Sequence, residues 1–240
     1  MTAASGATAV IAAAGSGERL GAETPKALVE LAGRPMVAWS IDAFARSESV
    51  GAIIVAAPGG FEAEIGVLGP PEAALDVVTG GPSRAESVAA AVARARTGVI
   101  VIHDAARPLV TPGLIDEVVG RLGSAPEAAG VIAAAPITDT VKRADAPHAP
   151  GGAVGDVAPP VVATEPRELL WAAQTPQAFR AGALREALAA SAEGLAAATD
   201  EAMLVERAGG MVLIHPSGAG NLKVTTADDL RIAALLLARD

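Results

Sequence analysis

The chain has 240 residues, 51% hydrophobic but only 2% aromatic, with 27 acidic against 18 basic side chains and a formal net charge of −9. That length suits one large α/β domain, and a core poor in rings must be built from Ala, Val, Leu and Ile, as in a parallel sheet under helices. The lack of cysteine excludes disulfides, thiolate metal sites and a cysteine nucleophile. The acidic balance argues against nonspecific nucleic-acid binding, so an anionic ligand must meet a local cationic cluster.

Residues 1–17 are uncharged, but no Lys or Arg precedes their apolar run and a glycine-rich loop interrupts it, which does not fit a signal peptide. No run approaches the roughly 18 apolar residues of a membrane span. A soluble, cytoplasmic protein without a membrane partner is expected.

The first predicted strand is the apolar run Thr8–Ala14, followed by "AAAGSGERLGAETPKAL" (residues 12–28) and by "RPMVAWSIDAFARS", a helix with proline near its first turn. Strands are then expected at Ala52–Ala57 and Leu75–Val78. "GGPSRAESV" follows the latter and opens a helix, "SRAESVAAAVARAR", with apolar residues at helical spacing. Val99–Ile102 runs into "HDAARP", and further strands are expected at Gly130–Ala135 and Met211–Ile214. The closing "TTADDLRIAALLLARD" has Thr226 ahead of Asp228 and Asp229, a helix N-terminal signal. Alternation of this kind predicts a mainly parallel sheet in three layers.

One stretch departs from the alternation. Residues 144–160, "ADAPHAPGGAVGDVAPP", are rich in Pro, Gly and Ala and separate two β-prone pieces, "TDTVKR" and "VVATE". The flanks describe a β-arm projecting from the domain, and the tip reads as a surface loop. The domain expectation is a single unit over 1–240, with 139–166 as the arm.

A glycine-rich turn between strand and helix presents backbone N–H groups without Cβ obstruction, which suits a phosphate. The P-loop pattern fails because the lysine stands in "TPKA" rather than in Gly-Lys-Ser/Thr. The dinucleotide fingerprint is weakened by Leu20 at its third glycine position. Arg19 and Lys26 close behind the glycines would suit a triphosphate whose charge rises during displacement at phosphorus. Asp104 and Arg107 follow a buried strand, so in an open parallel sheet they share the carboxyl edge with the first loop. Asp104 could meet a ribose hydroxyl or a metal, or cap a turn; Ser87 and the Gly80–Gly81 backbone could read a base edge, or Ser87 could be a helix-surface residue.

Taken in order, "AAAGSGERL", "TPKAL", "GGPSRAESV", "HDAARP", "APITDTVKR", "TPQAF", "TDEA" and "NLKVTTADDL" resemble the 2-C-methyl-D-erythritol 4-phosphate cytidylyltransferases of the non-mevalonate isoprenoid pathway, over nearly the whole chain. The resemblance implies a Rossmann-like nucleotidyltransferase fold, CTP as co-substrate, a divalent cation, usually Mg²⁺, mainly on the CTP phosphates, and a homodimer formed through the arm. By motif position, Ala12, Ala13, Ala14, Gly15, Ser16 and Gly17 would embrace CTP, Gly81 and Ser87 would read cytosine, and Asp104 and Ala105 would hold the ribose. Arg19 and Lys26 would stabilise the pentacoordinate phosphorus and Lys223 would contact the α-phosphate region. Arg107 would lie on the substrate side, Thr140 and Arg167 would reach the partner's site, and Thr175 and Thr199 would complete the acceptor surroundings. Glu18 and Pro82 stand where the family often has a basic residue and an Asp.

The implied reaction needs no general base, because a phosphomonoester with a second pKa near ~6 is already mostly dianionic at neutral pH. His103, His148 and His215 therefore need no catalytic role, and His103 reads as structural. The competing readings are a ribitol 5-phosphate cytidylyltransferase, an NAD-dependent oxidoreductase, which lacks a hydride-transfer site, and a non-catalytic nucleotide-binding module.

Overall fold

The computed structural model describes residues 6–15, 24–145, 159–189 and 198–238. A seven-stranded sheet runs through them, from β1 (Ala7–Ala12), β4 (Val50–Ala57), β5 (Leu75–Thr79), β6 (Val99–Asp104), β7 (Gly130–Pro136), β10 (Trp171–Arg180) and β11 (Val212–Pro216). Their order across the sheet is β11-β7-β10-β6-β1-β4-β5. Pairing is parallel throughout except at β10, which runs antiparallel to both neighbours. The mainly parallel expectation therefore holds, and β10 is the strand that the apolar-run reading did not include. It carries Pro176 at a register break between Ala173 and Gln177, where the missing N–H removes no ladder bond.

The alternation in β1 shows how the sheet is buried on both sides. Ala9 and Ile11 join a core with α1 (Met36–Ala45) and α4 (Pro112–Gly123) through Val37, Ile41, Phe44, Ile115 and Leu122. Val10 faces the opposite core, with Val88 and Val92 of α3 (Arg84–Arg94) and Leu184 of α5 (Ala181–Leu188). Period-2 alternation with both faces apolar is what a sheet between two helical layers requires. Smaller elements complete these layers: α2 (Glu62–Gly66), α6 (Glu201–Arg207) and a two-residue hairpin of β2 (Glu30–Leu31) with β3 (Arg34–Pro35).

The last helix, α7 (Ala227–Leu237), begins at a capping box in which Thr226 Oγ1 accepts from Asp229 N and the Asp229 carboxylate accepts from Thr226 N. It covers a satellite core of Leu31, Met36, Val224 and Ala233. The predicted β-arm is a separate antiparallel pair, β8 (Lys142–Ala144) with β9 (Val161–Thr164), exposed along most of its length. Of its expected tip, residues 144–160, residues 146–158 lie outside the described residues.

Candidate active site

The sheet order places β4 and β6 on opposite sides of β1, so the connections leaving β1 and β6 diverge and open a crevice at their carboxyl ends. Backbone bonds fix its floor. Ala13 N donates to Ala56 O at 3.0 Å, Ala105 N to Ala12 O at 3.1 Å, and Gly80 N to Ala57 O at 2.8 Å. Gly80 must be glycine, because an added Cβ would collide with Ala14 Cβ and would sit 3.0 Å from Ser87 Oγ and 3.1 Å from Ala57 O. The turn after β5 is thereby drawn against the loop after β1. A cavity of about 380 Å³ results.

Along one side of it lie Ala12, Ala13, Ala14 and Gly15, with Lys26 beyond them on a short 3₁₀ turn, Lys26–Leu28. Gly81, Arg84 and Ser87 supply the second side, at the start of α3. Ser83 N-caps this helix by accepting from Glu86 N at 3.2 Å. Ser87 Oγ lies 2.8 Å from Ser83 O and 3.2 Å from Gly81 O, so its proton is engaged by carbonyls and its lone pairs are left as acceptors. Asp104 and Ala105 follow β6, and Lys223 closes the cavity from the segment before α7.

The charges of the site form a chain. Lys223 Nζ donates to Asp104 Oδ2 at 2.7 Å, Arg84 Nε donates to Asp104 Oδ1 at 2.9 Å, and Arg84 Nη1 reaches both oxygens of Glu201, at 2.7 and 2.8 Å. Glu201 is fully buried and Asp104 nearly so. Burial opposes ionisation of Asp104, but the Arg84 and Lys223 charges beside it outweigh burial and hold the carboxyl far below its ordinary value. Burial likewise works against the Arg84 guanidinium, and the Glu201 and Asp104 carboxylates keep it firmly protonated. Burial outweighs the pull of Arg84 and raises the Glu201 carboxyl above its ordinary value; its two oxygens still lie 2.7 and 2.8 Å from Arg84 Nη1, the geometry of an ion pair.

Behind this chain His103 is wholly buried, and burial pushes its pKa down to about 3. Its Nε2 lies 3.2 Å from Arg107 O, which can only accept, so Nε2 carries the proton of the neutral ring. Nδ1 then accepts from the Thr175 hydroxyl at 3.0 Å, while Thr175 Oγ1 accepts from Asp104 N at 3.1 Å. A neutral imidazole thus fixes the end of β6 without titrating near neutrality.

The structure brings together most of the residues expected around a nucleotide: Ala12 to Gly15, Lys26, Gly81, Ser87, Asp104, Ala105 and Lys223 all line the one cavity. Arg19, Ser16 and Gly17 lie outside the described residues. Arg107 does not line the cavity: its buried guanidinium donates from Nη1 to Asn221 O at 2.8 Å and from Nη2 to Ala173 O at 3.4 Å. Thr175 is buried in the His103 contacts given above. Thr140 and Arg167 are exposed at the base of the arm, where Arg167 Nη1 donates to Thr138 O at 2.6 Å, and Thr199 is exposed just before α6.

Sequence reasoning missed Arg84 and Glu201. A usable signal existed for Arg84, since a cation in the first turn of a helix opposes the macrodipole and calls for carboxylate partners. Glu201 offers none, because a Glu after an N-capping Asp200 reads as an ordinary first-turn acid.

Among the described residues no cluster of three or more His, Asp or Glu side chains is arranged to hold a metal. Among the described lining residues the cavity presents one carboxylate, Asp104, each of whose oxygens meets a cation and keeps a further lone pair. That donor set fits a Mg²⁺ carried in on phosphate oxygens, with one carboxylate available to it, and does not form a cage of its own.

Comparison with known proteins places the chain in a family of the same fold. Residues 7–239 match the family model described as IspD, 2-C-methyl-D-erythritol 4-phosphate cytidylyltransferase. A protein of that name from Synechococcus sp. (strain CC9902) is 42% identical over 234 residues, 95% of this chain and 96% of that one. A bifunctional enzyme IspD/IspF from Anaeromyxobacter dehalogenans (strain 2CP-C) is 41% identical over 233 residues, 95% of this chain but 56% of its own length. The chain therefore spans little more than half of the bifunctional relatives and nearly all of the shorter ones. The crystal structure of the 2-C-methyl-D-erythritol 4-phosphate cytidylyltransferase from Thermus thermophilus superposes with a TM-score of 0.73 at 30% identity, covering 98% of this chain and 100% of that one.

Proposed function

The chain belongs to the 2-C-methyl-D-erythritol 4-phosphate cytidylyltransferase family, and from that membership we propose that the cavity at the carboxyl ends of β1 and β6 is where CTP binds and reacts. The activity is transfer of a cytidylyl group from CTP to 2-C-methyl-D-erythritol 4-phosphate in isoprenoid precursor biosynthesis. Relatives named for this acceptor do not favour the ribitol 5-phosphate alternative. The observation that carries the site assignment is the convergence of a glycine-bearing loop, Lys26, Lys223 and Asp104 from four separate segments on one cavity.

A phosphate oxygen of the acceptor forms a bond to the α-phosphorus of CTP while the bond to the bridging oxygen breaks, and pyrophosphate leaves with the electron pair. The attacking phosphate is already anionic, so what the protein must supply is alignment and positive charge. Lys26 and Lys223 provide fixed cations on two sides of the cavity, and Arg19 is assigned to the same task. The backbone N–H groups of Ala14 and Gly15 are assigned to the phosphates, that of Ala13 being bonded to Ala56 O. Asp104, held between Arg84 and Lys223, is suited to accept from ribose hydroxyls. The acceptor lone pairs of Ser87 Oγ complement the exocyclic amino group of cytosine, which uracil lacks. A divalent cation on the triphosphate would further neutralise the leaving pyrophosphate.

The acceptor side is assigned to Thr140 and Arg167 from a partner's arm, with Thr199 near it, in a homodimer; Arg107 and Thr175, expected there too, are buried and bonded within the fold and support that side without contacting the acceptor. The exposed Val161, Val162, Leu169 and Trp171 along the arm and its base support an interface there. No described helix is long and apolar enough to cross a membrane; we place the reaction in the cytoplasm, in keeping with a cysteine-free chain. Calorimetric titration with CTP, UTP, ATP and GTP in Mg²⁺ tests the nucleotide assignment. CTP should bind best, and equal binding of UTP would count against base reading by Ser87.

A further inference from the structure

The charge chain reaches beyond the cavity: Arg84 lines it, but Glu201 behind Arg84 does not. Glu201 stands at the first turn of α6, completely buried, and both its oxygens are taken by Arg84 Nη1. Arg84 in turn presents Nε to Asp104 Oδ1, leaving Oδ2 to Lys223. The guanidinium is a rigid plane, so fixing Nη1 on one carboxylate fixes the direction in which Nε points at the other. A lysine in place of Arg84 would carry the same charge on one nitrogen and could not set two directions at once.

From this geometry we infer that Glu201 and Arg84 are positioning residues: Glu201 anchors Arg84, and Arg84 holds Asp104 in the rotamer that binds nucleotide and keeps Lys223 at the cavity wall. The inference rests on the CTP reading of the cavity. Neither residue has to touch the reacting atoms, and the two carboxylates come from different elements, α6 and the end of β6. The acids differ in function because Asp104 lines the cavity while Glu201 does not. Ground-state binding of CTP, through Asp104, is the quantity that the pair controls.

The test compares the parent with Glu201→Gln, Arg84→Lys, Asp104→Asn and the Glu201→Gln, Asp104→Asn double variant. Dissociation constants for CTP are read by calorimetry, KM and kcat from pyrophosphate release, and thermal midpoints report folding. Glu201→Gln and Arg84→Lys should each weaken CTP about tenfold, the scale of one charge-assisted hydrogen bond, with KM for CTP moving more than KM for the polyol phosphate. In the Asp104→Asn background Glu201→Gln should add less than about twofold, since its effect passes through Asp104. Should Glu201→Gln fail to fold, Arg84→Lys carries the comparison. Affinity for CTP within about twofold of the parent in the folded variants, full additivity in the double variant, or an equal rise in both KM values would overturn the inference. A parent that binds CTP without turnover leaves the binding comparison readable and bears instead on the proposed reaction; a parent that does not bind CTP removes the premise of both.

Discussion

The buried His103 makes the stability of the enzyme depend on pH in a calculable way. Its pKa is about 3 in the folded protein against an ordinary 6.5, so between these values the unfolded chain binds a proton that the folded one refuses. The contribution of the neutral ring is complete above pH 6.5 and is lost as pH falls through that window toward 3. With about 1.36 kcal/mol for each unit of difference, acidification from about pH 7 to about pH 5 should remove about 2 kcal/mol from this residue. Neighbouring carboxylates do not mimic the effect: Asp104, whose folded pKa is depressed, loses its contribution only at lower pH, and Glu201, whose folded pKa is raised, changes stability in the opposite sense. Urea unfolding of the parent and of His103→Gln at pH 7, 6 and 5, with midpoint and slope both fitted, isolates this contribution. His103→Gln should be less stable at pH 7 but should lose about 2 kcal/mol less than the parent on going to pH 5. Parallel pH dependences in the two proteins would refute the burial of a neutral imidazole hydrogen-bonded at both nitrogens.

Lys26→Ala should lower kcat by roughly 10²- to 10³-fold, as for the loss of one preorganised donor to the transition state, in a steady-state pyrophosphate assay; a rise in KM for CTP with kcat intact would contradict its role. Arg167→Ala should act chiefly through the KM of the polyol phosphate, and heterodimers of Lys26→Ala with Arg167→Ala subunits should recover activity if the arm completes the partner's site. No recovery in purified heterodimers would place Arg167 in its own chain's site. Gly80→Ala should destabilise the protein by about 1–3 kcal/mol, as overpacking does, and weaken CTP binding, because the new methyl group meets Ala14 and Ala57 O; an unchanged urea midpoint would refute the close approach.

Much of the sheet was legible in the sequence because its strands are continuous apolar runs buried on both faces: six expected runs fall within or overlap β1, β4, β5, β6, β7 and β11. The strand β10 was not, since "WAAQTPQAFR" contains a proline and three polar residues besides its terminal arginine and owes its pairing to the register break beside Pro176. The cavity was legible where glycines and cations stand close together, as at Gly15 and Lys26. The Arg84 chain was hidden because its partners lie 20 residues away at Asp104 and 117 away at Glu201, a separation that no local spacing encodes. Arg107 shows the reverse. Its place in "HDAARP" puts it near the site, yet its guanidinium meets backbone carbonyls that only the folded chain supplies.

Whether this chain is a CTP-dependent transferase acting on a methylerythritol phosphate is decided by following pyrophosphate release with CTP and Mg²⁺, offering 2-C-methyl-D-erythritol 4-phosphate and ribitol 5-phosphate in parallel and ATP, GTP and UTP as nucleotide controls. Rapid release is expected with CTP and the methylerythritol phosphate, and little with any other pair. Release only with ribitol 5-phosphate, or none with any pair despite CTP binding, would refute the assignment.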